Sequence, residues 1–249
     1  MSEYVVMPAS DWRRICDTTR SKTGTTDLFK SGEVAEAIEG IQTGGSTEDL
    51  LAARITNTLT HYENAEVSLI YKNAFADCES LVSISCPNVE TIQKNAFYNA
   101  FALETAYFPN VKNFPMNGVF RACGKLKEFV AHKLNTARLD SEVFGGCTAI
   151  TKIDLGRVGS ITGYGVFMKC TSLKALILRQ TDAICTLTSN TAFNNSSIAS
   201  GTGYIYVPSA LIEEYKAATN WSTYAAQFRA LEDYTVDGTI TGELDSTKI

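Results

Sequence analysis

Apolar and polar positions along this chain recur with a long period. Phe75, Phe97, Phe120, Phe144, Phe167 and Phe193 stand 22, 23, 24, 23 and 26 residues apart. Around each lies one frame: Ala or Val just before it, a small residue three later and, in all but the last copy, an aliphatic residue six later. Such self-similarity marks a stacked repeat, in which each unit buries its apolar face only against its neighbours. Within a unit, residues 73–78 predict one tight helical or 3₁₀ turn with Phe75 and Cys78 on the same side through their i, i+3 spacing. Leu81, Ile84 and Cys86 then end in the alternation of a half-buried strand. The matching inward sets are Leu103, Ala106 and Phe108; Leu126, Phe129 and Ala131; Ile150, Ile153 and Leu155; and Leu173, Leu176 and Leu178. Val89 and Ile92, Val111 and Phe114, and Val158 and Ile161 fall inward between a strand and the next turn. The predicted fold is an α/β repeat solenoid in which each unit contributes a strand and a short helical or 3₁₀ turn, with helical end pieces.

The ends depart from the repeat. In residues 1–45, Ser10 predicts the cap of a short helix with Trp12, Ile15 and Cys16 on one face, and a second helix begins at Ser31 with Val34, Ala35 and Ile38 inward. Two short amphipathic helices bury little area alone, so this unit packs loosely, forms a homo-oligomer or attaches to another body. Gly44, Gly45 and Ser46 read as a linker. Residues 46–72 predict an N-terminal cap, with a helix over 48–55 followed by an edge strand. The solenoid proper spans 73–208. Its last strand, Tyr204 to Val207, follows an insert and points Ile205 and Val207 inward. Ser209 predicts the cap of a helix bearing Leu211, Ile212 and Tyr215, and Trp221, Tyr224, Phe228 and Leu231 continue an amphipathic face. Residues 209–234 therefore read as a helical C-terminal cap sealing the open end, and 235–249 as a loosely held tail.

The frame Asn/Gly-Ala/Val-Phe-x-x-Cys-x-x-Leu-x-x-Ile-x-Leu/Cys-Pro, running over about residues 55 to 208, resembles the BspA-type leucine-rich repeats. What the resemblance implies is a right-handed stack with a parallel β-sheet lining one face and short turns on the other. Ala100 and Ser196 depart from the Cys position, and His132, Gly156 and Arg179 replace the strand-ending Pro. The run from Val207 and Pro208 through Trp221, Tyr224 and Phe228 is similar to the segment that closes such arrays.

Charge and composition narrow the partners. A formal net charge of −5 argues against nucleic acid and anionic membranes as partners, since both demand a basic surface. Glu3 stands where an export signal is basic and no long apolar core follows, so neither a signal nor membrane insertion is expected. Of seven cysteines, Cys78, Cys123, Cys147 and Cys170 occupy the slot three residues after the repeat Phe. Interchange there with Ala and Ser marks a small buried site where a thiol serves as a compact hydrophobe. Stacked strands about 4.8 Å apart make a Cys123 to Cys147 bridge sterically conceivable, but no pairing logic supports it. With no Cys-x-x-Cys and only His61 and His132 as imidazoles, neither a metal site nor a cofactor is expected.

Function should then sit on the outward positions of the stacked strands, eight and ten residues after each Phe. These are Ser83 and Ser85, Thr105 and Tyr107, Glu128 and Val130, Lys152 and Asp154, Ala175 and Ile177, with Tyr204 and Tyr206 on the displaced last strand. Tyr107, Glu128, Lys152, Asp154, Tyr204 and Tyr206 form the candidate ligand-binding strip, suited by its tyrosines to a protein or glycan. His132 beside Lys152 and Asp154 invites acid–base chemistry, but a shallow open sheet offers little desolvation, and the expectation is a non-enzymatic protein. The N-terminal unit, with Trp12, Ile15, Val34 and Ile38 as attachment residues, resembles a short module at the start of bacteriophage tail-associated proteins. That resemblance implies a virion protein made in the bacterial cytoplasm, held to other tail proteins by its N-terminal helices and touching a host-surface protein or glycan. The alternative expectation is a bacterial cell-surface adhesin of the BspA type.

Overall fold

The computed structural model describes residues 57–114, 117–236 and 239–240, with backbone only for the strand residues from 235 onward. The helices predicted within residues 1–45 and over 48–55 lie outside the described residues.

The described chain coils as a stack of strands and turns. In chain order these are β1 (His61–Glu63), β2 (Leu69–Ile70), β3 (Ser83–Ser85), β4 (Thr91–Ile92), β5 (Thr105–Tyr107), β6 (Glu128–Thr136), β7 (Lys152–Val158) and β8 (Ser160–Ile161). Then come β9 (Ala175–Leu178), β10 (Thr186–Leu187), β11 (Tyr204–Val207), α1 (Ile212–Ala217), β12 (Phe228–Ala230) and the pair β13 (Thr235–Val236) and β14 (Thr239–Ile240). The main face carries two parallel sheets, ordered β1-β3-β5 and β12-β11-β9-β7-β6. Short parallel pairs β2-β4 and β10-β8 form a second side of the coil. This is the repeat solenoid expected from the periodicity, and the inward residues of every copy are buried except Ala106, which is half-exposed.

The repeat Phe residues form its axis. Their rings stack nearly parallel, with centroids 5.4, 5.1, 5.6, 6.0 and 5.1 Å apart from Phe75 through Phe193. Tyr62 tilts against the first ring, and Trp221 and Tyr224 cover the last. The turns holding the first five Phe residues each have a left-handed residue two positions before the ring and another two after, while the Phe193 turn has only the later one, Asn195. Asn73 and Asp77, Asn95 and Asn99, Gly118 and Ala122, Glu142 and Gly146, and Gly165 and Lys169 all have φ between 55° and 80°. Asn and Gly tolerate this region at least cost, which explains the Asn/Gly start of the frame. With the chain so kinked, the Phe N–H turns toward the next coil. Phe75, Phe97, Phe120, Phe144 and Phe167 donate to Ala96, Val119, Val143, Val166 and Ala192 carbonyls at 2.7 to 2.9 Å. The cysteine slot behaves as read: Cys123, Cys147 and Cys170 are buried, and each thiol donates to the carbonyl of Phe97, Phe120 or Phe144 at 3.1 to 3.2 Å.

The C-terminal end corrects the helical reading. Ser209 is not a helix cap: its N–H and hydroxyl both donate to the Glu232 carboxylate, and the segment opens as a 3₁₀ turn over Ser209–Leu211 before α1. Tyr215, Trp221 and Tyr224 do close the stack, because their polar tips meet backbone groups of the last coil. Tyr215 Oη accepts from Cys185 N–H at 2.8 Å, and Trp221 Nε1 and Tyr224 Oη donate to the Cys185 and Asn190 carbonyls at 2.6 and 2.8 Å. Phe228 lies in a strand rather than on a helix, and β12 adds a further parallel rung beside β11. Arg229 then donates to the Ala226 and Phe228 carbonyls, covering part of the edge that β12 would otherwise present.

Candidate binding face

The outward strip is laid out by strand register. Ser83 lies beside Thr105 and Ser85 beside Tyr107; Glu128 lies beside Lys152 and Val130 beside Asp154; Ala175 lies beside Tyr204 and Ile177 beside Tyr206. The candidate residues therefore do share one face, but that face divides into an open half and a covered half.

The covered half is C-terminal. After β12 the chain turns through a 3₁₀ segment, Leu231–Asp233, and folds back across the sheet. Leu231 packs on Ala175 and Ile177, and Tyr234 meets Tyr206 edge to face at 4.8 Å. Ile177, expected outward and accessible, is 0% exposed, and Ala175 is buried with it. Tyr204 is half-buried under the Arg229 guanidinium, 4.3 Å from its ring centroid. The residues that do this covering were missed, although a signal existed. β9 is an unbroken apolar run, Ala175 to Leu178, and a strand apolar on both faces needs cover on both.

Asp154 is a second correction. It was expected to meet a partner and is only 4% exposed. Arg179, at the end of the adjoining strand β9, grips it with Nε and Nη2 at 2.6 and 2.8 Å, while His132 Nε2 on the other side lies 3.1 Å from the same carboxylate. His132 and Arg179 flank Gly156 at the strand-end position, where a bulge in β6 brings the His132 and Leu134 carbonyls against Gly156. No side chain fits there, so the two flanking residues converge on Asp154. Burial pushes the Asp154 carboxyl up, but the hydrogen bonds from His132 and Arg179 outweigh it and hold the group below its ordinary range. A carboxylate bound from both sides is a structural clamp rather than a general base awaiting a proton.

The open half is N-terminal. Tyr107 is 57% exposed, with Thr105 exposed beside it and Ser83 and Ser85 half-exposed on the neighbouring strand. His61 Nδ1 lies 2.7 Å from Ser83 Oγ. Glu128 is exposed and pairs with Lys152 at 2.6 Å. The attachment residues Trp12, Ile15, Val34 and Ile38 lie outside the described residues. Among the described residues no group of three His, Cys, Asp or Glu could hold a metal, and no helix is long and apolar enough to cross a membrane. Burial pushes the Cys86, Cys170 and Cys185 thiols up to about 12, which lowers their reactivity.

Stacked parallel strands and one aromatic turn per coil are the architecture of a leucine-rich-repeat protein. The family model described as BspA type leucine-rich repeat region matches in six copies over residues 56–174 and 116–213, more than half of the chain, and the chain belongs to that family. Two solved structures are similar to it. One is the pneumococcal vaccine antigen PcpA, at 13% identity and a TM-score of 0.37, covering 70% of this chain and 40% of that one. The other is a leucine-rich repeat protein from Bacteroides ovatus, at 16% identity and a TM-score of 0.26, covering 69% of this chain and 66% of that one. This chain thus spans less than half the length of the first. A search of curated proteins finds no match. The family match begins at residue 56 and leaves the N-terminal module unassigned.

Proposed function

We propose that this is a non-enzymatic recognition protein that meets a host-surface protein or glycan through the outward face of its sheet, and that its N-terminal unit attaches it to a phage tail. The observation that carries the recognition reading is the open half-face around Tyr107, where accessible side chains stand in register on adjoining rungs. Attachment to other tail proteins is supported by the resemblance of residues 1–45 to modules of tail-associated proteins. Virions purified on a density gradient should contain the chain by mass spectrometry. Its absence from them would overturn tail attachment.

The second reading, a bacterial cell-surface adhesin, is favoured by membership of the BspA-type family. It predicts that surface labelling of intact producing cells tags the chain, whereas the tail reading predicts label only on released particles. Both readings place the chain outside the reach of a catalytic role, and a binding assay against intact bacterial cells tests what they share.

A further inference from the structure

We propose that the open half-face binds a neutral glycan, with Tyr107 as the platform on which a sugar ring stacks. This rests on the reading of the sheet as a recognition face and goes on to choose its ligand chemistry. Three observations favour a glycan over a protein.

First, the surface offers one aromatic anchor rather than a cluster. Protein interfaces draw their energy from several desolvated anchors packed together. On β1, β3 and β5 the outward positions are His61, Glu63, Ser83, Ser85, Thr105 and Tyr107, of which only Tyr107 is large and apolar. Second, the groups around that ring are small hydroxyls held in register: Ser85 directly beside Tyr107, and Ser83 beside Thr105. A ring face next to short donors and acceptors matches a sugar, which has an apolar C–H face and a hydroxyl rim. Rungs about 4.8 Å apart repeat these groups on the scale of one sugar ring. Third, the charges select against anions. Glu63 lies at one rim and Glu128 at the other, the nearest cation of the strip, Lys152, is already paired with Glu128, and the whole chain carries −5. Sialylated, phosphorylated or uronic polymers would meet repulsion, whereas the two carboxylates can accept hydrogen bonds from neutral sugar hydroxyls.

Tyr107 is placed for this by the break in the sheet. Tyr107 lies on β5 in the β1-β3-β5 sheet and is 57% exposed, whereas the C-terminal segment covers Ala175, Ile177 and Tyr206 on the other sheet.

The test uses the full chain against immobilised neutral and acidic bacterial polysaccharides. Binding to at least one neutral polysaccharide is expected, with about tenfold or greater loss in Tyr107→Ala and near-retention in Tyr107→Phe. Because Tyr107 is exposed, both variants should melt as the parent does, so a binding loss reports the ligand and not the fold. No binding to any neutral polysaccharide, or binding indifferent to Tyr107→Ala, overturns the inference. Cell binding separates it from the broader reading. If intact bacterial cells capture the parent chain and protease treatment abolishes capture while periodate does not, the glycan inference fails and the recognition reading stands. If cells capture nothing, the recognition reading itself fails.

Discussion

The repeat Phe and the strip Tyr are the same kind of side chain in opposite situations, and that contrast is measurable. Phe144 is fully buried, ring-stacked at 5.6 Å on Phe120 and 6.0 Å on Phe167, so Phe144→Ala should cost about 3 to 5 kcal/mol in denaturant unfolding. Tyr107→Ala should change stability by less than about 0.5 kcal/mol, because solvent already surrounds most of the ring. Asp154 makes a pH-dependent contribution whose sign follows from its lowered carboxyl. The unfolded chain binds the proton more readily than the folded one, so the stabilisation is present above the ordinary value of 3.8 and is lost as pH falls through the folded value. Glu104, Asp182 and Glu232 are lowered too, so the test is a difference. Between about pH 6, where carboxylates are ionised, and about pH 3, where those of the unfolded chain are largely protonated, the urea midpoint should fall further in the parent than in Asp154→Asn. Gly156→Ala attacks the same cluster from the backbone. A new Cβ would press into the His132 and Leu134 carbonyls, neither of which is a flexible side-chain end, and the β6 bulge would have to move. A loss of about 2 kcal/mol or more is expected by thermal melting.

At the scale of elements, the segment after β12 is what the periodicity did not reveal. Leu231→Ala should cost about 2 to 3 kcal/mol and increase binding of an apolar dye, since Leu231 is what covers Ala175 and Ile177. A loss as small as that of Tyr107→Ala would show that the segment merely rests on the sheet. The core was legible because every coil repeats one frame, so the inward assignment of Phe144 was checked by five other copies. Asp154 is buried and Tyr206 half-covered for the converse reason. Their outward register was right, but exposure depends on what else arrives, and neither the Arg179 clamp nor the Tyr234 contact repeats in any other coil. Phe228 was read as helical because apolar residues at 221, 224, 228 and 231 fit a helical spacing. Pairing with β11 overrode that local pattern. Of the open site, Tyr107 was legible from register alone, whereas its isolation as the accessible aromatic of the strip depends on the non-repeating C-terminal cover.

For the molecule as a whole, a stack in which each coil leans only on its neighbours has no reason to be uniformly stable. The break between β5 and β6 divides it unequally. On one side lies a three-stranded sheet of three-residue strands, and on the other a five-stranded sheet whose longest member has nine residues. At the junction the inward position holds Ala106 on β5 and Phe129 on β6, and these two strands belong to different sheets. The aromatic stack nevertheless continues across it, with Phe97 and Phe120 at 5.1 Å. Core continuity without sheet continuity predicts two protection levels in one body. In native-state hydrogen exchange, amides of Ile153 and Leu176 should exchange near the global unfolding limit, while those of Ile84 and Ala106 should exchange through a smaller opening of the first coils. Ala106→Val, which adds apolar bulk at a half-exposed inward position, should slow exchange of the N-terminal strands and leave β7 and β9 unchanged. Equal protection of Ile84 and Leu176 in the parent would show that the shared Phe stack, and not the sheet, sets the cooperative unit.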